Sequence, residues 1–280
     1  MAEITAAAVK ELREETGLPM MKCKEALTAA GGDKEKAKEQ LRKDGAKTMA
    51  IKSAERSTAF GRFGICVGVD KPSGAMVELL CESAPVAGHD EFIQLASDLA
   101  AALAANADVT TGEQLLAKPS PSKAGSSLQD QLDELYNRMR EVFKVGRILR
   151  YDGPCGGYSH NSGTVSGVLV QVEGGTDEAA KDVAMHVAAM RPPALSKEDI
   201  DADKVAKERE ILSEAARKEG KPENIIEKMV EGRMRQFYAE QALLEQPFVK
   251  DDKQSVGKYA QANGMKIVRF EHWELKAVEE

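Results

Sequence analysis

The chain has 280 residues, of which 42% are hydrophobic, 30% charged and 5% aromatic, and its net charge is −7, as in a soluble globular protein with room for more than one compact unit. The acidic balance argues against direct nucleic-acid binding, which needs a concentrated basic surface. No apolar run approaches the roughly 20 residues that span a bilayer, and the charged N-terminus is unlike a signal peptide, so we expect a cytoplasmic protein without membrane association.

Residues 1–52 predict a small module of three helices. The first helix has an apolar face at helical spacing, formed by Ile4, Ala8, Val9 and Leu12. A Gly-Leu-Pro sequence ends it, and the second helix begins at Met20. Asp33 is a suitable N-cap for the third helix, which we expect to end near Gly45 and to be followed by a linker.

Two adjacent methionines, Met20 and Met21, begin the second helix. Two large side chains at a helix start cannot both point into a three-helix core, so we expect at least one to be exposed. Methionine is flexible and suits an adaptable protein contact. The alternative is that both are half-buried and serve packing alone.

A strand pair followed by a helix is predicted next. Residues 62–69 and 75–81 flank the turn sequence DKPSG, which indicates a β-hairpin. The helix after it has an apolar stripe formed by Phe92, Leu95, Leu99 and Leu103. Residues 118–127 predict a loop, and residues 128–143 predict another helix with one apolar side.

The same pattern recurs further along the chain. Residues 145–151 and 167–173 are expected to form a second strand pair, and residues 176–190 the helix after it. The sequence DLAAALAA at 98–105 aligns with DVAMHVAA at 182–189. We infer a divergent internal duplication of a strand-pair-plus-helix unit and predict the α+β class.

Residues 201–246 are charged and helical, and Pro222 interrupts them. The second half has apolar residues at spacings of four and seven, namely Ile226, Val230, Phe237 and Leu244. This pattern predicts an antiparallel helical hairpin or short coiled coil. It could be a purely structural helix pair or an interaction arm through which the chain forms an oligomer. A final strand at 265–275 is expected to return to a sheet already made.

The loop after the first hairpin holds a thiol, an imidazole and a carboxylate, on Cys81, His89 and Asp90. A thiol nucleophile needs a base and a group that orients the base, so this loop could be catalytic. Cys81 ends an apolar strand, however, and a buried structural thiol is the favoured interpretation. His186 lies among Ala, Met and Val, as core or interface histidines do, and His160 lies in a Gly/Ser-rich stretch that predicts a turn.

The sequence shows no sign of a metal or cofactor site. None of the four cysteines forms a C-x-x-C pair or has a histidine at ligand spacing, which argues against zinc. The phosphate-binding sequences GxxxxGK[ST] and GxGxxG do not occur. We therefore predict no cofactor, no metal and no bond-making active site.

Several segments, in order, resemble the elongation factor Ts family. LREETGLPMMKCKEAL at 12–27 resembles its N-terminal signature. AMHVAA at 184–189, KPENIIEKMVEGRMRQFYAEQALLEQPFV at 221–249 and VRFE at 268–271 resemble its later blocks, so the resemblance covers nearly the whole chain. It implies a ubiquitin-associated-like (UBA-like) three-helix module at 1–52, a core subdomain with its following helix at 57–144, a second at 145–200 completed by 247–275, a coiled-coil hairpin at 201–246 and a tail at 276–280.

This resemblance implies a guanine-nucleotide exchange factor that binds elongation factor Tu, both with GDP and free of nucleotide. It would disturb the Mg²⁺ and phosphate site of that GTPase and promote replacement of GDP by GTP. The rival class is a scaffold that binds partners without altering any nucleotide.

The resemblance also assigns contact positions. Those expected against the Mg²⁺ site of the GTPase are Ser83, Ala84, Pro85 and Val86, where most members read Thr-Asp-Phe-Val. The other expected contacts are Leu12, Met20, Met21, Gly167 and His186. Because the acidic and aromatic probes are missing, we expect the segment at 83–86 to act as a stiff wedge, in which Pro85 fixes its own φ and favours an extended Ala84.

Overall fold

The structure, a computed structural model, describes residues 4–219 and 222–275. Its helices are α1 (Ala6–Thr16), α2 (Met20–Ala29), α3 (Lys34–Glu55), α4 (Ala84–Ala87), α5 (Asp90–Ala105), α6 (Gly112–Leu116), α7 (Leu128–Met139), α8 (Asp177–Met190), α9 (Ala202–Lys218), α10 (Glu223–Gln241) and α11 (Val256–Ala262). Its strands are β1 (Phe60–Cys66), β2 (Ser73–Cys81), β3 (Lys144–Asp152), β4 (Cys155–His160), β5 (Ser166–Gly174), β6 (Pro247–Phe248), β7 (Asp251–Ser255) and β8 (Met265–Glu274). The chain is an α+β protein, and no helix in the described part is long and apolar enough to cross a bilayer.

Helices α1, α2 and α3 share a small core. Its buried members are Val9, Leu12, Leu18, Cys23, Ala26, Leu27, Ala37 and Leu41. Thr5 caps the start of α1 with its side chain, and Gly17 ends the helix at a φ of 66°, where glycine is favoured. The predicted start of α2 at Met20 is confirmed.

The third helix is longer than predicted, because α3 continues through Gly45 instead of ending there. Gly45 faces α7, and a Cβ added to it would lie 2.4 Å from Asn137 Oδ1. The glycine therefore permits a close approach of two helices rather than a helix end. Arg42 and Asp130 form an ion pair between the same two helices, with Nη1 and Oδ1 2.8 Å apart. The three-helix module thus rests on α7.

The first sheet has the order β1-β2-β3, and both pairs are antiparallel. The hairpin predicted at 62–69 and 75–81 is confirmed, with small shifts at its ends. Helix α5 packs on this sheet through the predicted stripe, which is buried at Phe92, Leu95, Leu99 and Leu103. Helix α7 ends before 143 because Arg140 takes a left-handed conformation with a φ of 62°.

The second sheet has the order β4-β5-β8, again antiparallel. The predicted pairing of 145–151 with 167–173 is wrong, because β3 joins β2 and β5 pairs with β4. The predicted turn around His160 is wrong for the same reason, since this stretch forms β4. Gly156 suits that strand because an added Cβ would lie 2.5 Å from Ala180 Cβ on α8. The predicted return of the final strand, β8, is confirmed.

The first unit (β1, β2 and α5) and the second unit (β4, β5 and α8) have one arrangement, a hairpin with a helix packed across it. In each unit a glycine of the first strand lies against the helix backbone, Gly64 against Ala96 and Gly156 against Ala180. Ala96 and Ala180 are equivalent when the alignment of 98–105 with 182–189 is extended by two residues. This shared contact supports the predicted duplication.

The two sheets pack against each other. The cluster between them contains Phe63, Met76, Tyr151, Cys155 and Leu169. Arg147 joins the sheets at one edge, since its Nη2 donates to Glu78 Oε1 and to the Glu274 carbonyl oxygen, both at 2.7 Å. The remaining elements attach to this central pair of sheets.

The helical arm, formed by α9 and α10, has a core of its own. Its buried members are Ala216, Ile226, Val230 and Met234. Ion pairs join the two helices at Arg209–Glu231 (3.7 Å) and Arg233–Glu219 (3.0 Å). Leu244 was predicted on the arm, but α10 ends before it and Leu244 packs on the core of the second unit.

Candidate functional site

The predicted wedge, Ser83 to Val86, lies between β2 and α5 and forms the single helical turn α4. Ser83 precedes the turn in an extended conformation, with φ −138° and ψ 151°. The prediction of an extended Ala84 is wrong, because Ala84 is the first helical residue and Pro85 the second. Proline is tolerated there because N–H groups in a first turn have no intrahelical partner. Ala84 and Pro85 are exposed and form the tip of the turn.

The start of α4 is tied to the segment after α7. Glu141 accepts two hydrogen bonds from Ser83, one from the backbone N at 3.1 Å and one from Oγ at 2.6 Å. In the opposite direction, Glu82 Oε1 accepts the Val142 N–H at 2.7 Å. Each glutamate thus binds the backbone N–H of the residue that follows the other glutamate, an arrangement named here the glutamate clamp.

Two arginines also contact this region. One binds the end of α4, and the other pairs with a carboxylate of the clamp. Arg62 Nη1 donates to the Ala87 carbonyl oxygen at 3.1 Å, which satisfies a carbonyl that a helix end leaves open. Arg56 Nη1 lies 3.1 Å from Glu82 Oε2 and offsets its negative charge. The turn is therefore fixed at both ends, while its tip remains open to solvent.

Cys81 cannot serve as the nucleophile that its loop suggested. Its side chain is completely buried, and burial raises the pKa of the thiol to about 12, with smaller contributions from Glu141 and Glu82. The thiolate is the nucleophilic form, so this thiol is inert at neutral pH. His89 is used elsewhere, because its Nδ1 accepts the Glu91 N–H at the start of α5. The buried structural thiol is the correct interpretation.

The methionines at the start of α2 are both exposed, Met20 by 42% and Met21 by 64%. The sequence predicted that at least one of these two side chains is exposed, and the structure exposes both. Leu12, expected as a neighbouring contact, is completely buried in the three-helix core. Its side chain therefore supports the helices beneath Met20 and Met21 and is not available to a partner in this conformation.

Gly167 lies on β5 and faces the cluster between the two sheets. A Cβ added to it would lie 2.5 Å from Phe63 Cγ and 2.7 Å from Met76 Sδ. The position is thus internal, and the absence of a side chain allows the sheets to approach each other. We assign Gly167 a role in sheet packing instead of direct contact.

His186 is also internal, since its side chain is completely buried. Its Nε2 lies 2.9 Å from Gln246 Oε1, and its Nδ1 accepts the Val249 N–H at 3.2 Å. Burial lowers the pKa of this imidazole. The expected direct contact is therefore replaced by the core-histidine interpretation, in which His186 joins α8 to the segment after the arm. Two exposed apolar side chains lie near His186 in the fold. Met190 is the last residue of α8, and Val249 is the residue whose N–H the imidazole accepts.

Comparison with known proteins places these elements in a family. The family model described as "Elongation factor TS" matches residues 85–277. The protein named Elongation factor Ts from Methylococcus capsulatus is 44% identical over 97% of the chain and 92% of its own length. Those from Azoarcus sp. (44% identical, 96% and 90% covered) and Saccharopolyspora erythraea (42% identical, 98% and 99% covered) align similarly. The chain belongs to the elongation factor Ts family.

Membership of the elongation factor Ts family confirms the resemblance drawn from the sequence and makes the chain a translation elongation factor. The family match begins at Pro85, the second residue of α4, and covers α5, the second unit and the arm, whereas β1 and β2 of the first unit lie before it. The three-helix module is included in the alignments with the whole relatives, which cover nearly the full chain. The predicted contact positions lie on three separate parts of this fold, namely α4, the helices α1 and α2, and the second sheet with α8.

The residues that hold α4 were missed by the sequence analysis. Glu141 lies 58 residues from Ser83, and Arg62 lies 25 residues from Ala87. Neither belongs to a recognisable local pattern, since each is a charged residue in a chain that is 30% charged. Only the fold brings them to the turn.

Proposed function

We propose that the chain is the guanine-nucleotide exchange factor of elongation factor Tu, which it binds with GDP and free of nucleotide. In this proposal it disturbs the Mg²⁺ and phosphate site of the GTPase, promotes release of GDP and allows GTP to replace it in the cytoplasm. The observation that carries the proposal is the alignment with relatives named Elongation factor Ts over nearly the whole chain. No bond is made or broken by the chain itself.

Exchange of this kind is a coupling between two binding equilibria. The factor and GDP bind the same GTPase and weaken each other, and this effect is reciprocal. A ten-thousandfold faster release corresponds to a barrier lower by about 5.5 kcal/mol. The chain must therefore present a surface that favours a GTPase shape unsuited to Mg²⁺ and phosphate, and hold that surface firmly.

Helix α4 suits this task because its tip is exposed and its ends are fixed. Ala84 and Pro85 offer neither a carboxylate nor an aromatic ring, so the turn would act by shape and not by competition for Mg²⁺. The hydrogen bonds that Glu141 accepts from Ser83 and that Arg62 donates to Ala87 keep the turn ordered before binding. A contact that is ordered beforehand loses little entropy when it is pressed against a partner.

The second proposed contact is the start of α2. Met20 and Met21 are exposed apolar side chains on a helix whose inner face is packed. Removal of a well-buried anchor at the centre of an interface costs about 2 kcal/mol or more. Leu12, Gly167 and His186 act in this proposal as supports of the contact surfaces.

The accessory elements are assigned by the same family argument. We propose that the three N-terminal helices are the UBA-like module and that the arm is the coiled-coil hairpin. The separate apolar core between α9 and α10 supports the second assignment. The arm would serve as a further contact with the GTPase or with a second copy of the chain.

Release of fluorescent GDP from purified elongation factor Tu tests the proposal. Catalytic amounts of the chain should accelerate release strongly, and excess unlabelled nucleotide should prevent rebinding. Binding to elongation factor Tu with an unchanged release rate would instead support the scaffold alternative.

A further inference from the structure

We propose that Glu141 is a positioning residue for nucleotide exchange, because it fixes the start of α4 from across the glutamate clamp. This inference rests on the proposed function, in which α4 presses against the GTPase. Glu141 does not reach the exposed tip itself. Its carboxylate acts through Ser83, the residue that immediately precedes the turn.

The hydrogen bonds of Ser83 are unusual for its place at a helix start. A serine before a helix commonly accepts a backbone N–H of the first turn with its hydroxyl. Ser83 makes no such capping bond, and both its backbone N–H and its hydroxyl are directed to Glu141 instead. Hydrogen bonds to an ionised acceptor are shorter and stronger than neutral ones. The start of α4 is therefore held from outside the turn.

Helix α4 depends on this external support because it contains four residues. A single turn is far below the length at which a helix is stable in water. Its orientation comes from Val86 and Ala87, which pack against the core of the first unit, and from the hydrogen bonds at its ends, to Glu141 at the start and from Arg62 at the end. Loss of the Glu141 carboxylate would release the start of the turn, where the exposed Ala84 and Pro85 lie.

Glu141 is itself attached to a fixed part of the core. Arg140, just before it, closes α7 with a φ of 62°, and Val142, just after it, is completely buried. Phe143 packs against Phe92 of α5, with ring centroids 5.6 Å apart. Glu141 therefore lies between the end of α7 and a buried segment that packs against α5. The clamp therefore connects the start of α4 to a well-packed part of the core.

The clamp is reciprocal, because each glutamate accepts a backbone N–H next to the other. Glu82 binds the Val142 N–H at 2.7 Å while Glu141 binds the Ser83 N–H at 3.1 Å. The two carboxylates join the same two segments, residues 82–83 and 141–142, so they should act as a unit. The effects of substitutions within such a unit do not combine as independent effects would.

The experiment measures fluorescent GDP release from elongation factor Tu over a range of concentrations of the full chain. Glu141→Gln keeps the size of the side chain and removes one of the two acceptor oxygens. We expect the maximal release rate to fall about tenfold or more, as for the loss of one charge-assisted hydrogen bond. The half-saturating concentration should stay within about twofold, because α4 is only one of the contacts.

Glu134→Gln is the matched control, since Glu134 lies on α7 and pairs with Lys123 at 2.5 Å, away from the clamp. Its maximal rate should equal that of the parent. Ser83→Ala removes the 2.6 Å bond alone and should lower the maximal rate by about threefold. Combined with Glu141→Gln it should add little further loss, whereas independent effects would multiply.

The outcomes separate the two proposals. If the parent chain does not accelerate GDP release, the proposed exchange function fails. If the parent does so and Glu141→Gln matches it at saturation, the exchange function stands and the positioning role of Glu141 is overturned. A lower thermal midpoint with an unchanged maximal rate per folded molecule would also overturn it. Should Glu141→Gln not fold, a maximal rate of Ser83→Ala equal to that of the parent would refute the role.

Discussion

His186→Ala should destabilise the second unit strongly. The imidazole is completely buried, lies 2.9 Å from Gln246 Oε1 and accepts the Val249 N–H at 3.2 Å. Its ring packs against Phe248, with centroids 5.8 Å apart. Alanine would remove this ring and leave the buried Gln246 Oε1 and the partly buried Val249 N–H without their partner.

The magnitude follows from two contributions. Truncation of a large buried side chain costs about 2–5 kcal/mol because a cavity remains. A buried donor or acceptor left unpaired costs about 1–3 kcal/mol. Relaxation around the cavity and entry of water reduce the sum, so we expect a loss of about 3–5 kcal/mol. Since proteins are stable by only about 5–15 kcal/mol, the thermal midpoint should fall by about 10 °C.

Urea unfolding provides the measurement, followed by circular dichroism and by fluorescence. The chain has one tryptophan, Trp273, which lies on β8 and so reports on the second sheet. His160→Ala is the matched control, because His160 is only half-buried and bonds to Tyr158 at a strand end. It should cost about 1 kcal/mol or less. A loss below about 1 kcal/mol for His186→Ala, together with slower GDP release, would refute the reasoning and restore a direct contact.

Three further outcomes are expected. Burial lowers the pKa of both His186 and His272, so their contribution to stability is complete above the unfolded-state pKa of about 6.5 and is lost as pH falls below it, because the unfolded chain then binds more protons. A urea midpoint that rises from pH 8 to pH 5 would contradict this. Met20→Ala combined with Met21→Ala should weaken affinity for elongation factor Tu at least tenfold with an unchanged circular dichroism spectrum, and unchanged affinity would remove this contact. Pro85→Gly should lower the maximal rate of GDP release more than the affinity, since glycine loosens the turn, and a rate equal to the parent's at saturation would make α4 a bystander.

Local periodicity was sufficient for elements whose burial follows their own sequence. The stripe of α5 is predicted and found because its spacing reflects one buried face. Strand β3 was recognised as a strand, but its partner was not, because pairing depends on the closure of a sheet and not on the strand itself. The sequence predicts a helix end near Gly45 and a turn in the stretch that contains Gly156. Each glycine instead lies in close contact with a helix, Gly45 with α7 and Gly156 with α8, which only the assembled fold reveals.

For the candidate contact residues, the sequence indicated exposure in some cases and left burial undecided in others. Exposure of one of the two residues Met20 and Met21 could be inferred because two adjacent large side chains cannot both point into the core, but exposure of both could not. Leu12 and His186 could not be assigned in the same way, since an apolar surrounding in sequence is common to core and interface residues. In the structure both side chains are completely buried, which favours the core interpretation.

A comparison of α5 with α8 shows how the second unit holds the segment that follows the arm. Asp98 on α5 and Asp182 on α8 are equivalent and buried, and a buried carboxylate needs hydrogen-bond partners. Asp98 accepts bonds from the segment that follows its own helix, from Gln131 Nε2 at 2.9 Å and from Ser122. The partners of Asp182 come from beyond the arm.

These partners are Lys250 Nζ at 2.5 Å and the Tyr259 hydroxyl at 3.0 Å. His186 binds the same returning segment at Val249. At the base of the arm, the Leu243 N–H donates to the Ala194 carbonyl oxygen at 2.9 Å, which brings the two ends of the excursion together. The arm is therefore inserted between α8 and the segment after the arm, which α8 binds through Asp182 and His186. Its base is fixed by the core, whereas the far ends of α9 and α10 depend on the packing of the arm alone.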